Sequence, residues 1–217
     1  MQDFQLKKPD LLLFTDFPHD KVMFKTLSET AIMYRCYSAT HEWMYYDSGP
    51  DGRFNGDIPS LFIELAESMN LTCFGTCYLS STIEGALSES IFRNSPPFIE
   101  KSLLTSKKIV QVQLSENTTL KFINLGDAAT RYALGIDTQI FSTPDYGVSI
   151  MWAHLFRQQG YNGIRYEGRN GQEICYALFD GSSVVLDDGE DMGVIGGDFL
   201  MPRLETYAAK LNVPIER

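Results

Sequence analysis

The sequence predicts a single α+β domain, and three observations predict it. Strand-like and helix-like runs are mixed along the chain, and two consecutive β-rich runs, 108–114 and 119–125, sit among several amphipathic helical ones. No internal repeat, low-complexity linker or break in composition divides the 217 residues. That length is enough to bury a real core, and 44% hydrophobic with 21% charged residues is ordinary globular composition.

Taken in order, residues 1–30 read as an irregular start and a polar, helix-like segment from Asp20 to Glu29, an N-terminal extension without visible chemistry. Ala31–Tyr37 is the first convincing strand, apolar and aromatic except for Arg35, and an arginine inside such a strand needs an anionic partner or an edge position. Residues 38–57 form a loop with turn chemistry at Gly49-Pro50-Asp51-Gly52, followed at once by Arg53-Phe54-Asn55. A guanidinium on a glycine-flanked loop beside aromatic residues such as Tyr46 suits a phosphate, and a surface loop is the plain alternative. Leu61, Phe62, Leu65 and Met69 fall at helical spacing, predicting a short amphipathic helix over 58–69.

The stretch Thr76–Glu89 reads as a short buried strand, a tight turn and the start of a helix. Ser81 followed by Glu84 has the pattern of a capping box, so the helix should begin at about Thr82 with Glu84 as the cap partner. At roughly 100° per residue, Glu89 lies well round from Glu84 and need not share its environment; Tyr78 and Glu89 can converge on one cleft, and the plain alternative is a core tyrosine and a solvated helix residue. The helix should continue through the nineties to a loop marked by Pro96-Pro97 and end by Ser106. Asp127 can cap a helix through Tyr132, and Pro144-Asp145 introduces another, Tyr146–Gln159, ended by Gly160. Gly163–Tyr166 and Ile174–Phe179 read as a hairpin with a Gly-rich connection; a strand at Ser183–Leu186 and a helix over Arg203–Leu211 complete residues 183–217, packed on the same domain.

The formal net charge of −10 disfavours direct nucleic-acid binding and suits a cationic protein partner. An anionic substrate would need a local cationic pocket. Four cysteines without disulfide-framework density, and three histidines scattered at 19, 41 and 154, argue against disulfides and structural zinc. No apolar run has the length of a signal core or a membrane span, so a soluble, reducing, cytoplasmic setting is expected.

An ordered set of motifs resembles the RES-domain family, toxins of bacterial Xre–RES toxin–antitoxin systems. It comprises Tyr34-Arg35, Gly52-Arg53-Phe54-Asn55, Tyr78 with Ala86-Leu87-x-Glu89, Tyr161-Asn162-Gly163-Ile164-Arg165-Tyr166 and Ala177-Leu178-Phe179-Asp180, over roughly residues 31–182. The resemblance implies an ADP-ribosyltransferase-like fold, a mixed or antiparallel sheet flanked by helices, and consumption of NAD. It implies catalytic roles for Arg53, Tyr78 and Glu89, and NAD contacts from Arg35, Arg53, Tyr78 and Tyr46. The nicotinamide–ribose bond would be cleaved by hydrolysis, phosphorolysis or ADP-ribosyl transfer, without a metal, under control of a cognate antitoxin and with a protein target if transfer is the reaction. Two departures stand out. The segment between the GRFN motif and Tyr78 is longer than the family usually has, by about a helix, over residues 56–72. Gly168 stands where the family often carries a functional serine, and that motivates an alternative: a degenerate module that binds a nucleotide or a protein without turnover.

Overall fold

A computed structural model of the protein describes residues 6–143, 145–168, 170, 173–180 and 189–216. Among them, eight strands form one sheet: β1 (Phe24–Ser28), β2 (Ile32–Ser38), β3 (Thr76–Ser80), β4 (Lys107–Gln113), β5 (Thr119–Asn124), β6 (Gly163–Glu167), β7 (Ile174–Phe179) and β8 (Glu190–Val194). Their spatial order is β1-β5-β6-β7-β3-β2-β4-β8. Every pairing is antiparallel except β5 with β6. Among the described residues six α-helices accompany the sheet: α1 (Ile63–Ser68), α2 (Ile83–Ser90), α3 (Lys101–Ser106), α4 (Ala128–Leu134), α5 (Gly147–Gln158) and α6 (Met201–Lys210). The fold is a single α+β domain, as the mixed pattern predicts.

Three expectations need correction. The polar segment 20–29 holds strand β1, not a helix; it is an edge strand paired to β5, and four of its five residues are exposed. One buried residue in five gives no apolar alternation to read. The helix carrying Glu89 stops at Ser90 with Ile91 as C-cap, and a separate helix, α3, begins at Lys101. The N-cap of α2 is Thr82, whose hydroxyl accepts from the Gly85 N–H at 3.0 Å; Glu84 instead pairs with Arg203 at 3.2 Å. The strand expected at Ser183–Leu186 lies outside the described residues.

Successive residues of the inner strands point to opposite faces of the sheet, and apolar side chains fill both. On one face α5 packs over β5, β6 and β7 through Trp152, Leu155 and Phe156, while α2 and α6 pack near β2 and β4 through Leu87, Leu204 and Tyr207. On the other, Met33, Cys77, Leu79, Val110, Phe122 and Leu178 pack together with Trp43 and Tyr46 from the loop after β2. Phe14, Phe17 and Val22 of the N-terminal segment belong to the cluster under α5. The longer segment 56–72 packs there too: Phe62 and Ala66 are buried and lie with Phe14, Ile150 and Met151 around a small apolar gap.

One irregularity in the sheet positions everything that follows. β2 and β3 are paired only at Tyr34 and Ser80, and beyond that point the two strands part. The loop after β2 enters the opening and takes over: Asp47 exchanges both backbone hydrogen bonds with Thr76, at 3.1 and 2.8 Å, and Gly56 does so with Phe74, at 2.9 and 3.2 Å. Gly75 makes the close approach possible, since a Cβ there would lie 2.6 Å from the Tyr46 Cβ. The split sheet therefore has a loop-built wall.

Candidate active site

The opening between β2 and β3 is a cleft of about 380 Å³. Arg35, Arg53, Tyr78 and Glu89 all line it, although they come from a strand, a loop, a second strand and a helix. Arg93, Lys107, His41 and Tyr45 line it as well. Among the described residues, none of 6–30 and none of 56–72 lines it, so the longer segment is a packing element and not a cover for the cleft.

The Arg53 loop is held by a chain of short hydrogen bonds. The Tyr78 hydroxyl donates to Asn55 Oδ1 and accepts from the Phe54 N–H, both at 2.9 Å. Thr76 Oγ1 donates to Phe54 O at 2.8 Å, and Asn55 Nδ2 donates to Gly49 O at 2.8 Å. Burial pushes the Tyr78 phenol far above its ordinary value, so it stays a protonated donor. Gly52 is required there: a Cβ would lie 2.1 Å from Asn55 Cγ. These bonds leave Arg53 only 4% exposed, with its Nε and Nη1 lacking any hydrogen-bond partner. Its guanidinium carbon lies 5.6 Å from the centroid of the Tyr146 ring.

Glu89 is half-buried on α2 and accepts a 2.9 Å hydrogen bond from the Tyr166 hydroxyl at Oε2. Burial, reinforced by the Glu89 charge, holds that phenol well above its usual value, so at neutral pH it is a donor and fixes the carboxylate. Gly168 follows on the same strand's end. A Cβ placed there would stand 3.2 Å from Glu89 Oε1, so a serine at 168 would bring its hydroxyl to the carboxylate. In this chain Glu89 has the Tyr166 hydroxyl at Oε2.

Arg35 lies on the Cys77 side of β2, where its guanidinium contacts the Cys77 thiol, and it reaches the cleft from there. Tyr46 is not brought to the cleft. It packs against the core cluster that holds Cys77 and Leu79, and burial pushes its phenol up to about 12. Successive residues of the extended segment point opposite ways, so its neighbour Tyr45 lines the cleft and pairs edge-on with His41 at 5.2 Å.

Sequence reasoning missed Arg93, Tyr146 and the role of Tyr166. Arg93 follows Glu89 by four positions, the spacing that puts two side chains on one helical face, and that was the available signal. Tyr146 reads only as a helix start, and nothing local ties it to the distant Arg53 loop.

No curated protein matches the chain. Among solved structures, a chain of the crystal structure of the M. tuberculosis MbcT–MbcA toxin–antitoxin complex superposes with a TM-score of 0.57 at 14% identity, covering 85% of this chain and 93% of that one. At that identity the likeness shows the fold. A family model for the RES domain matches residues 32–192, a span that runs from β2 into β8 and carries every wall of the cleft, and on that match the chain belongs to the RES-domain family.

Proposed function

We propose that the chain is an NAD-consuming, toxin-like enzyme that cleaves the nicotinamide–ribose bond and is neutralised by a cognate antitoxin. The observation that carries this reading is Arg53: a guanidinium that is 4% exposed, with two of its nitrogens unpartnered, in the wall of a cleft that also holds a carboxylate. Leaving a buried cation unpaired is costly, and an anionic substrate group relieves that cost on binding. With Arg53, the residues Arg35, Arg93 and Lys107 outnumber Glu42, Asp47 and Glu89 in the cleft lining, a more cationic balance than the net charge of −10 over the whole chain.

As the glycosidic bond to nicotinamide breaks, its electron pair leaves with the now neutral pyridine, and positive charge develops on the ribose. Glu89, oriented by Tyr166, stabilises that charge and can hold a ribose hydroxyl. Arg53 fixes the diphosphate, so the reacting carbon is presented to the carboxylate. With water as acceptor the products are ADP-ribose, nicotinamide and a proton; phosphate or a protein side chain would take the ADP-ribosyl group in the same manner. The solved neighbour comes from a toxin–antitoxin complex, which supports a protein partner here, and the acidic surface suits a basic one.

Pure protein incubated with NAD should release nicotinamide, and Glu89→Gln should lower the rate by at least about a hundredfold with the fold retained. Mass spectrometry of the products distinguishes ADP-ribose, its phosphorylated form and a modified protein. Gly168 favours a second reading, a binding module without turnover, because it leaves the carboxylate without the family's serine. Tight NAD binding with no nicotinamide release, whatever acceptor is added, would establish that reading instead.

A further inference from the structure

Arg93 is a second, half-buried cation of the cleft, and its surroundings differ from those of a surface arginine. It lies three residues beyond the end of α2. Its Nη2 donates to the Asp51 carbonyl, which belongs to the loop that carries Arg53. It hydrogen-bonds the Tyr146 side chain, and its guanidinium carbon lies 5.2 Å from the centroid of the same ring that Arg53 approaches at 5.6 Å. Two guanidinium groups that line one cleft thus share one aromatic ring. Tyr146 itself is fixed at the start of α5, whose Ser149 Oγ donates to the Tyr146 carbonyl at 2.9 Å.

The ring quadrupole offsets part of each guanidinium charge, and the Glu89 charge acts on Arg93 as well. Two guanidinium groups set around one ring suit a ligand with two negative charges on adjacent groups, since each planar fork can grip one phosphoryl group. Arg53 offers its unpartnered Nε and Nη1. Arg93 is anchored by the Asp51 carbonyl and so is held beside it at little further cost in side-chain entropy. We infer that Arg93 and Arg53, set around Tyr146, form a two-arginine clamp for the diphosphate of the substrate, with Arg93 as a specificity-determining residue that nothing in the motif pattern marks. The inference rests on the NAD reading for the identity of the substrate, but the clamp itself requires only a diphosphate.

The test is binding of ADP and of adenosine to the full chain, measured by titration calorimetry, for the parent and for Arg93→Gln, with thermal melts alongside. The clamp predicts that Arg93→Gln weakens ADP by at least about tenfold and adenosine by less than about twofold, and that Arg93→Lys falls between the two. An equal loss for both ligands would reduce Arg93 to a structural tether of the Asp51 loop and overturn the inference, as would ADP binding that is indifferent to Arg93→Gln. The two readings fail separately. Parent protein that binds ADP through Arg93 but releases no nicotinamide keeps the clamp and loses the enzyme. Protein that cleaves NAD at equal affinity with and without the Arg93 charge keeps the enzyme and loses the clamp.

Discussion

The Tyr78 hydroxyl spends both its donor and its readiest acceptor capacity inside the protein, on Asn55 and Phe54, so its contribution to the cleft passes through the position of Arg53. Tyr78→Phe should therefore leave a backbone N–H and an amide oxygen without partners, lowering stability by about 1–3 kcal/mol in urea unfolding. In kinetics it should raise KM for NAD more than it lowers kcat, because it loosens a substrate anchor and leaves Glu89 untouched. The opposite signature is expected at Gly168. A methyl group there would stand 3.2 Å from Glu89 Oε1, so the carboxylate must give by a few tenths of an ångström while offering the methyl no hydrogen bond. Gly168→Ala should lower kcat several-fold at nearly constant KM, read from initial rates of nicotinamide release. At this scale the sequence was legible where a residue's chemistry sits badly with its neighbourhood. Arg35 in an apolar strand, Arg53 among glycines and Glu89 without a cap to serve all invited explanation, and all reach the cleft. Tyr46 did not, because which of two adjacent tyrosines faces the cleft depends on how the 46–47 segment docks over Gly75, a contact remote in sequence.

At the scale of the element, α2 carries the site and its start is fixed by one hydroxyl. Thr82 Oγ1 accepts from the Gly85 N–H at 3.0 Å, and Gly85 also admits Ser80, whose Oγ would lie 2.0 Å from any Cβ at 85. Thr82→Ala should cost about 1 kcal/mol through the lost cap, a fall of roughly 2–4 °C in the thermal midpoint for a domain of this size. Glu84→Gln removes a half-exposed pair with Arg203 and should shift that midpoint by under about a degree, which separates the observed cap from the one the pattern suggested. The difference has a physical cause. Ser81 and Thr82 are both competent caps, but the Ser81 N–H is already committed to Ile174 O at 3.0 Å in β7, so the strand extends one residue too far for Ser81 to serve. Strands with apolar alternation were legible. The edge strand β1 was not, since a strand paired on one side and solvated on the other presents mostly polar side chains. The order of the strands was also beyond local pattern: β4 and β5 follow each other in sequence yet lie on opposite sides of the sheet, paired to β2 and β1.

Across the whole molecule, the cleft wall and the core under α5 are joined through the segment that follows the Arg53 loop. Gly56 pairs with Phe74, and His154 of α5 bonds the Asp57 carbonyl through Nε2 at 3.0 Å while its ring meets Phe74 edge-on at 5.0 Å. Burial lowers the His154 pKa from its ordinary value, Arg157 adds to that, and the Asp57 and Gly56 backbone and the Asp57 charge oppose it. The imidazole is thus kept neutral in the folded protein, while the unfolded chain protonates it near the usual value of about 6.5. A base whose folded pKa is depressed contributes stability that is present above the unfolded pKa and lost as pH falls below it, until the folded group itself titrates. Stability should then decline from pH 7 toward pH 5, by at most about 1.4 kcal/mol per pH unit from this group. The carboxylates of Asp127 and Asp191 are held below their ordinary range by hydrogen bonds, to the Thr130 N–H and to Lys108 respectively, and so act at lower pH. His154→Gln, which keeps an amide donor for the Asp57 carbonyl, should flatten the decline between pH 7 and 5 in urea unfolding. An unchanged slope would mean that the contact between α5 and the 56–57 segment does not sense this proton. A flattened one would tie the stability of the loop that positions Arg53 to the protonation of a residue outside the cleft.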